Sequence, residues 1–238
     1  MCANFEPITK AQASLFTNQQ LSFDFKTDIY PGYDCPLLFA NVGDSAEWRS
    51  VKFGMVPKWA KDLDICRFTY NARTETVGDK PSFENAWHHS QFALIPVQTI
   101  FEPKYPYANE QGYGKSQRWG IYREDGQPFT VAAIYEVTRI QGEIIRSMSM
   151  LTINADQHPL MSQFHRPDDE KRSIVVIEPE YRMDWLTATL ENAFKLLQPM
   201  GEGFRAREMP RAKRAYYGAN SVGETMEDAN PASQGALF

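Results

Sequence analysis

The sequence is poor in cysteine, with three in 238 residues, at Cys2, Cys35 and Cys66. A sparse, odd set does not build a disulfide framework, and it fits a reducing, intracellular setting. No apolar run approaches the roughly 18 residues that a membrane-spanning helix needs. The N-terminus lacks a basic stretch followed by an apolar one, so no secretory signal is expected. The motifs GxGxxG, GxxxxGK[ST], HExxH and CxxC are all missing. Nothing therefore implies a dinucleotide or a metal, and no cofactor is expected. His88 and His89 are adjacent, poor geometry for one metal, and read as surface or half-buried residues at a helix edge. An excess of positive charge is also lacking: 25 Lys and Arg against 30 Asp and Glu leave a net charge of −5. That argues against bulk affinity for nucleic acid, though not against a local basic face.

What is present is an ordinary globular composition, 42% hydrophobic and 23% charged, long enough for a continuous core. Strand-like runs recur: PLLFANV, SVKFGMV, QFALIPVQTIF, RWGIYRED, FTVAAIYEVTRI, SMSMLTI and RSIVVIE. Asp125-Gly126 between RWGIYRED and FTVAAIYEVT is a hairpin signal, so these two are expected to pair antiparallel. Helical signals are fewer. PSFENAWHH reads as a short helix capped by Ser82. PEYRMDWLTATLENAFKLLQ spaces Trp185, Leu186, Leu190, Phe194 and Leu197 helically, and ITKAQASLFTNQQL is a weaker candidate. Many strands without strict strand–helix alternation predict an α+β fold, a mostly antiparallel distorted barrel or sheet with flanking helices. One domain is expected over residues 2–222, followed by a polar tail, 223–238, expected to be disordered.

Several polar clusters interrupt or abut apolar strands. In YNARTET, extended backbone would place Asn71, Arg73 and Glu75 on one face. That suits a built hydrogen-bond network, and equally an exposed strand face. In TIFEPKY, Glu102 follows an apolar strand; burial there would favour its neutral form and suit a general acid or base. A plain strand-end glutamate fits the same pattern. In QFHRPDDEKRSIVVI, His165 sits in a polar loop beside Arg166 and Arg172, where an imidazole could move protons or do nothing. The stretch GFRAREMPRAKRAYY carries Arg205, Arg207, Arg211, Lys213 and Arg214 against Glu208, a basic face or a solvated turn.

Taken in order, MC, FGMVPKW, NARTET, FEPKY, GQPFTVAAIYE and the His165 segment resemble the SRAP family. These are SOS-response-associated peptidase-like proteins that shield abasic sites in DNA. The resemblance spans roughly residues 2 to 220. It implies that Cys2 is the covalent residue, Asn71 and Glu102 the active-site polar pair, and His165 the proton shuttle. Arg73 and Glu75 complete the matched strand, and Trp59 would lie near DNA. Its departures are specific. The usual MCGRF reads MCANF, so Ala3 and Asn4 stand where a glycine and an arginine are usual, which removes one phosphate contact. The usual aromatic-Asn-x-x-Pro segment reads YPGYD at 30–34, and Phe53 stands where a tryptophan is usual. Within HRPDDEKR either Arg166 or Arg172 takes the place of the motif arginine, and His158 is a weaker stand-in for His165.

The chemistry implied requires a free N-terminal cysteine, released when Met1 is removed by an aminopeptidase or autocatalytically. Its amine would condense with the aldehyde of an abasic deoxyribose and its thiol would close a thiazolidine. Weak lyase activity would compete at the imine. Single-stranded DNA is the expected partner, gripped by Lys58, Trp59, Arg73, Arg166, Arg172, Arg211 and Arg214. A cytoplasmic monomer is expected. Two other readings stay open: a cysteine peptidase or N-terminal-nucleophile hydrolase using Cys2, and a non-catalytic DNA binder.

Overall fold

The computed structural model describes residues 2–41, 43, 45–105, 108–109 and 112–211. Its strands are β1 (Asn4–Pro7), β2 (Asp34–Asn41), β3 (Ser45–Phe53), β4 (Asn71–Arg73), β5 (Phe92–Lys104), β6 (Ala108–Asn109) and β7 (Gly112–Tyr113). β8 (Gln117–Arg123), β9 (Phe129–Ile140), β10 (Glu143–Asn154), β11 (Arg172–Ile174), β12 (Val176–Ile177) and β13 (Phe204–Glu208) follow. The helices are α1 (Glu84–His88), α2 (Arg182–Leu186) and α3 (Leu190–Leu196). The expected tail, 223–238, lies outside the described residues.

The fold is α+β and dominated by one sheet. β9, β10, β3, β2 and β5 follow one another, and β5 pairs back to β9, closing a ring. The β10–β3 contact is parallel and the others are antiparallel. The central stretches of β2, β5, β9 and β10 are buried on both faces, so alternate residues feed different cores. Leu38, Leu94, Ala132, Ile134 and Leu151 pack with Trp87 of α1 and Trp185 of α2. Their neighbours Leu37, Ala93, Val131, Ala133 and Met150 pack with Phe5, Phe53 and Cys2. Trp185 is fully buried, and its indole N–H donates to the Ala93 carbonyl at 2.9 Å. Truncating such an indole costs about 3–5 kcal/mol.

Strand β5 is the hub. Along one edge β9 pairs with Phe92–Val97 and β8 with Ile100–Lys104, both antiparallel. β8 and β9 therefore run in the same direction and cannot form the hairpin expected at Asp125-Gly126. The turn there is real: Gly126 N–H bonds to the Arg123 carbonyl at 3.0 Å. It kinks one path along β5 instead of reversing it. The helical expectations also change. Ser82 does not cap α1; the N–H groups of Phe83 and Glu84 already bond to the Lys80 carbonyl at 2.8 and 2.9 Å. The long C-terminal helix splits, because the Thr189 side chain caps α3 by accepting from Asn192 N–H at 3.4 Å. Phe194, one of the helically spaced apolar residues, is 55% exposed. The early candidate forms a 3-10 turn over Lys10–Leu15.

Candidate active site

The C-terminal half of β5 has β1 on one edge and β8 on the other. Asn4 lies opposite Phe101, and Phe101 opposite Gly120. Strand β1 thereby delivers Cys2 beside Glu102. Across the site, β4 runs parallel to β10, with Asn71 opposite Met150. The Asn71 amide donates to the Cys2 carbonyl at 2.8 Å. Its Oδ1 is buried and has no hydrogen-bond partner among the described residues. A buried acceptor left unpaired costs about 1–3 kcal/mol.

His165 comes from the loop before β11. It has φ +62, a left-handed conformation uncommon outside glycine. The loop is held there by His165 N–H, which bonds to the Pro103 carbonyl at 2.7 Å, and by Lys171 Nζ, which bonds to the Phe164 carbonyl at 3.0 Å. Lys171 also donates to the Arg166 carbonyl. The result is a pair: His165 Nε2 lies 2.8 Å from Glu102 Oε2, with side chains 11% and 2% exposed. Backbone strain at a residue fixed this way is typical of functional sites.

Cys2 is 1% exposed. Burial pushes its thiol well above the usual range, and the charge of Glu102 pushes the same way. Burial, followed by the neighbouring Cys2 and Glu102, likewise raises the Tyr70 hydroxyl. The group opens on a cleft of about 1010 Å³ lined by Ala3, Asn4, Tyr70, Phe101, Glu102 and His165. The cleft is therefore large enough for a sugar and its flanking groups, with an acid–base pair at one wall.

The remaining sequence candidates scatter. Arg211 lines the cleft, its guanidinium 4.9 Å over the Tyr30 ring. Arg214 lies outside the described residues. Arg166 sits 5.8 Å over the Tyr105 ring, next to His165. Trp59 is 56% exposed, and its indole N–H is tied to the Pro81 carbonyl at 3.1 Å. Lys58 is 4.0 Å from Glu136, and Arg73 is 2.6 Å from Glu170. Arg172 is different in kind: its side chain is 3% exposed and bonds to Glu75 at 2.7 Å and Glu170 at 2.8 Å. Of the two candidates for the motif arginine, Arg166 alone is exposed. Glu75 stands in a turn beyond the end of β4 and still reaches Arg172. His158 accepts at Nδ1 from the Leu160 and Met161 N–H groups, so its imidazole braces a turn. His88 and His89 bond separately to the Gly78 and Asn85 carbonyls. Among the described residues no group of His, Cys, Asp or Glu is placed to hold a metal ion. Sequence reasoning missed Tyr70 and Arg118. Tyr70 was legible as the polar aromatic heading NARTET; Arg118 gave no signal inside a run that reads as plain strand.

The family described as "SOS response associated peptidase (SRAP)" matches residues 1–212. A Bacillus subtilis protein named abasic site processing protein YoqW is 35% identical over 165 residues, covering 67% of this chain and 68% of its own. The Escherichia coli protein named abasic site processing protein YedK is 31% identical over 150 residues, 63% of this chain and 60% of its own. A crystal structure of a Bordetella bronchiseptica protein superposes with TM-score 0.79 at 27% identity, covering 88% of this chain and 100% of that one. No helix among the described residues is long and apolar enough to cross a membrane.

Proposed function

The chain belongs to the SRAP family, and from that premise we propose that it captures abasic sites in single-stranded DNA by covalent attachment through Cys2. The observation that carries this reading is the clustering of four residues: Asn71 holds the Cys2 carbonyl, and Cys2 lies beside Glu102, whose pair with His165 lines the cleft. The names of the curated relatives supply the substrate class.

Removal of Met1 frees an α-amine, which titrates at about 7.7–8.0 and so is partly neutral at cellular pH. The ring-opened sugar presents an aldehyde. The amine adds to it, and loss of water gives an imine. The thiol then adds across that C=N bond: sulfur bonds to carbon, the thiol proton passes to nitrogen, and a five-membered thiazolidine closes. No redox partner is needed. Closure is intramolecular, with effective concentrations up to ~10⁵–10⁸ M in favourable geometry. Only an N-terminal cysteine carries both groups on adjacent carbons.

The supporting roles follow from position. Glu102 exchanges the proton that opens the sugar, and His165, 2.8 Å away, serves the hydroxyl that leaves as water. Asn71 fixes the Cys2 carbonyl and offers its unpaired Oδ1 to a donor, the new amine or a sugar hydroxyl. Burial raises the Cys2 thiol, so its proton has to be handed on as the sulfur adds, and the Glu102 carboxylate lies beside it. The cationic and aromatic residues near the cleft, with Trp59, would hold the strand as single-strand binders do.

The test is incubation with uracil-glycosylase-treated single-stranded DNA, followed by a denaturing gel. A slow-migrating band, lost in Cys2→Ala, is expected. Peptide cleavage without a band would select the hydrolase reading, and retention of DNA without a band the non-catalytic one.

A further inference from the structure

Position 4 holds an uncharged asparagine, yet a guanidinium occupies the ground beside it. Arg118 of β8 reaches across the Phe101 ring at 3.3 Å and bonds to Asn4 Oδ1 through Nε at 3.1 Å and Nη2 at 2.9 Å. Nη2 also bonds to Asp28 at 3.1 Å, and Nη1 to the Met209 carbonyl at 3.1 Å. These contacts use Nε–H, both Nη2 hydrogens and one on Nη1. Among the described residues the second Nη1 hydrogen has no partner. Its single counter-charge, Asp28, is shared: the Tyr30 hydroxyl donates to the other carboxylate oxygen at 3.0 Å. Asn4 is itself fixed by its amide, which donates to Asp28 and to the Ile29 carbonyl. Asn4 is 7% exposed and the Arg118 side chain 20%, so the cation is held in one place and faces the cleft.

The same cleft is lined by Arg211, over the Tyr30 ring, and by Lys115. No carboxylate of the described residues pairs with either. Glu102 and His165, which are occupied with each other, line the same cleft, as does Glu208. The cleft therefore brings the Glu102–His165 pair and a set of fixed cations within one space.

We infer that Arg118 and Arg211 form a phosphodiester subsite that places the phosphate flanking the captured sugar. This rests on the function proposed above. A guanidinium fork preorganised by neutral and shared contacts suits a phosphate oxygen better than a mobile lysine does. Asn4 does not weaken the site; its carboxamide is the bracket on which the cation is mounted.

The test compares two aldehydes: an abasic single-stranded oligonucleotide and phosphate-free glycolaldehyde, each with wild type, Arg118→Gln, Arg211→Gln and Arg118→Lys. The readout is the ratio of adduct-formation rates, oligonucleotide over glycolaldehyde. The ratio should fall roughly tenfold in each glutamine variant, as expected for loss of a charge-assisted phosphate contact. The slope of log rate against log salt should shrink by about 1 per arginine removed. Arg118→Lys should recover the salt slope and only part of the ratio. An unchanged ratio, or equal losses on both aldehydes, would overturn the subsite and leave Arg118 a brace for β1. Arg211, exposed and unbraced, keeps the test open if Arg118→Gln does not fold. Failure of wild type to join either aldehyde would overturn the proposed function itself.

Discussion

Among the described residues two pairs set a largely buried basic side chain, Arg172 or His165, against carboxylates, and what sets them apart is whether the base can exchange its proton. In one, Arg172 is 3% exposed and bonds to Glu75, Glu170 and the Thr152 carbonyl. In the other, His165 meets Glu102 at 2.8 Å, 11% and 2% exposed. A guanidinium keeps its proton at any relevant pH, so the first pair stands still and ties β11 to the turn after β4. An imidazole has a ring nitrogen that can take or release a proton, so the second can move charge. Both pairs are buried on the basic side; the second adds an exchangeable proton and a place beside the cleft, as the proposed chemistry requires.

The comparison breaks most visibly at Glu102. Glu102→Gln keeps the shape and removes the proton acceptor, so crosslinking should slow by about 10²–10⁴-fold. The thermal midpoint should barely move, and a wild-type rate on the denaturing gel would contradict the assignment. At the other pair the outcome should invert. Arg172→Met removes the guanidinium from Glu75, which keeps the Asn154 N–H, and from Glu170, which keeps Arg73. Because those carboxylates are 43% and 37% exposed, the loss should sit near the low end for a buried pair, about 3 kcal/mol by urea titration. The folded fraction should still crosslink.

Asn71 tests what connects the regions. Asn71→Ala removes the bond to the Cys2 carbonyl, and a misplaced nucleophile should react about tenfold more slowly, equivalent to ~1.4 kcal/mol. Single-turnover kinetics would show it. The smallest effect is on acid stability. Burial alone would raise Glu75, but the Arg172 hydrogen bonds outweigh it and hold the carboxyl below its usual 4.5. A depressed group stabilises the fold above its unfolded value and loses that contribution as pH falls through the folded value. Wild type should therefore lose stability below about pH 4.5, more steeply than Glu75→Gln. Parallel curves would contradict that sign.

Much of this was legible before any coordinates. Asn71, Glu102 and His165 stood out because each lies in a polar cluster that interrupts or abuts an apolar strand, and the fold brings the three clusters together. The strands were legible from Val, Ile and Phe content. Pairing was not: Asp125-Gly126 announces a turn but cannot say that β5 is long enough to take β8 and β9 end to end. The helix break at Thr189 was hidden because apolar spacing continues across it, while the threonine oxygen competes locally for a backbone N–H. Arg172 looked like a DNA contact since its sequence neighbours are all polar; only the fold shows Glu75 arriving from 97 positions away. Arg118 was invisible for a related reason, since Asn4 and Asp28 reach it from 114 and 90 positions away.

The most direct measurement is mass spectrometry of the protein after reaction with abasic single-stranded DNA, nuclease trimming and proteolysis. The account predicts a sugar remnant on the peptide that begins at Cys2, attached with loss of one water and stable without borohydride. A remnant on a lysine, or an adduct that forms while Met1 is still in place, would contradict it.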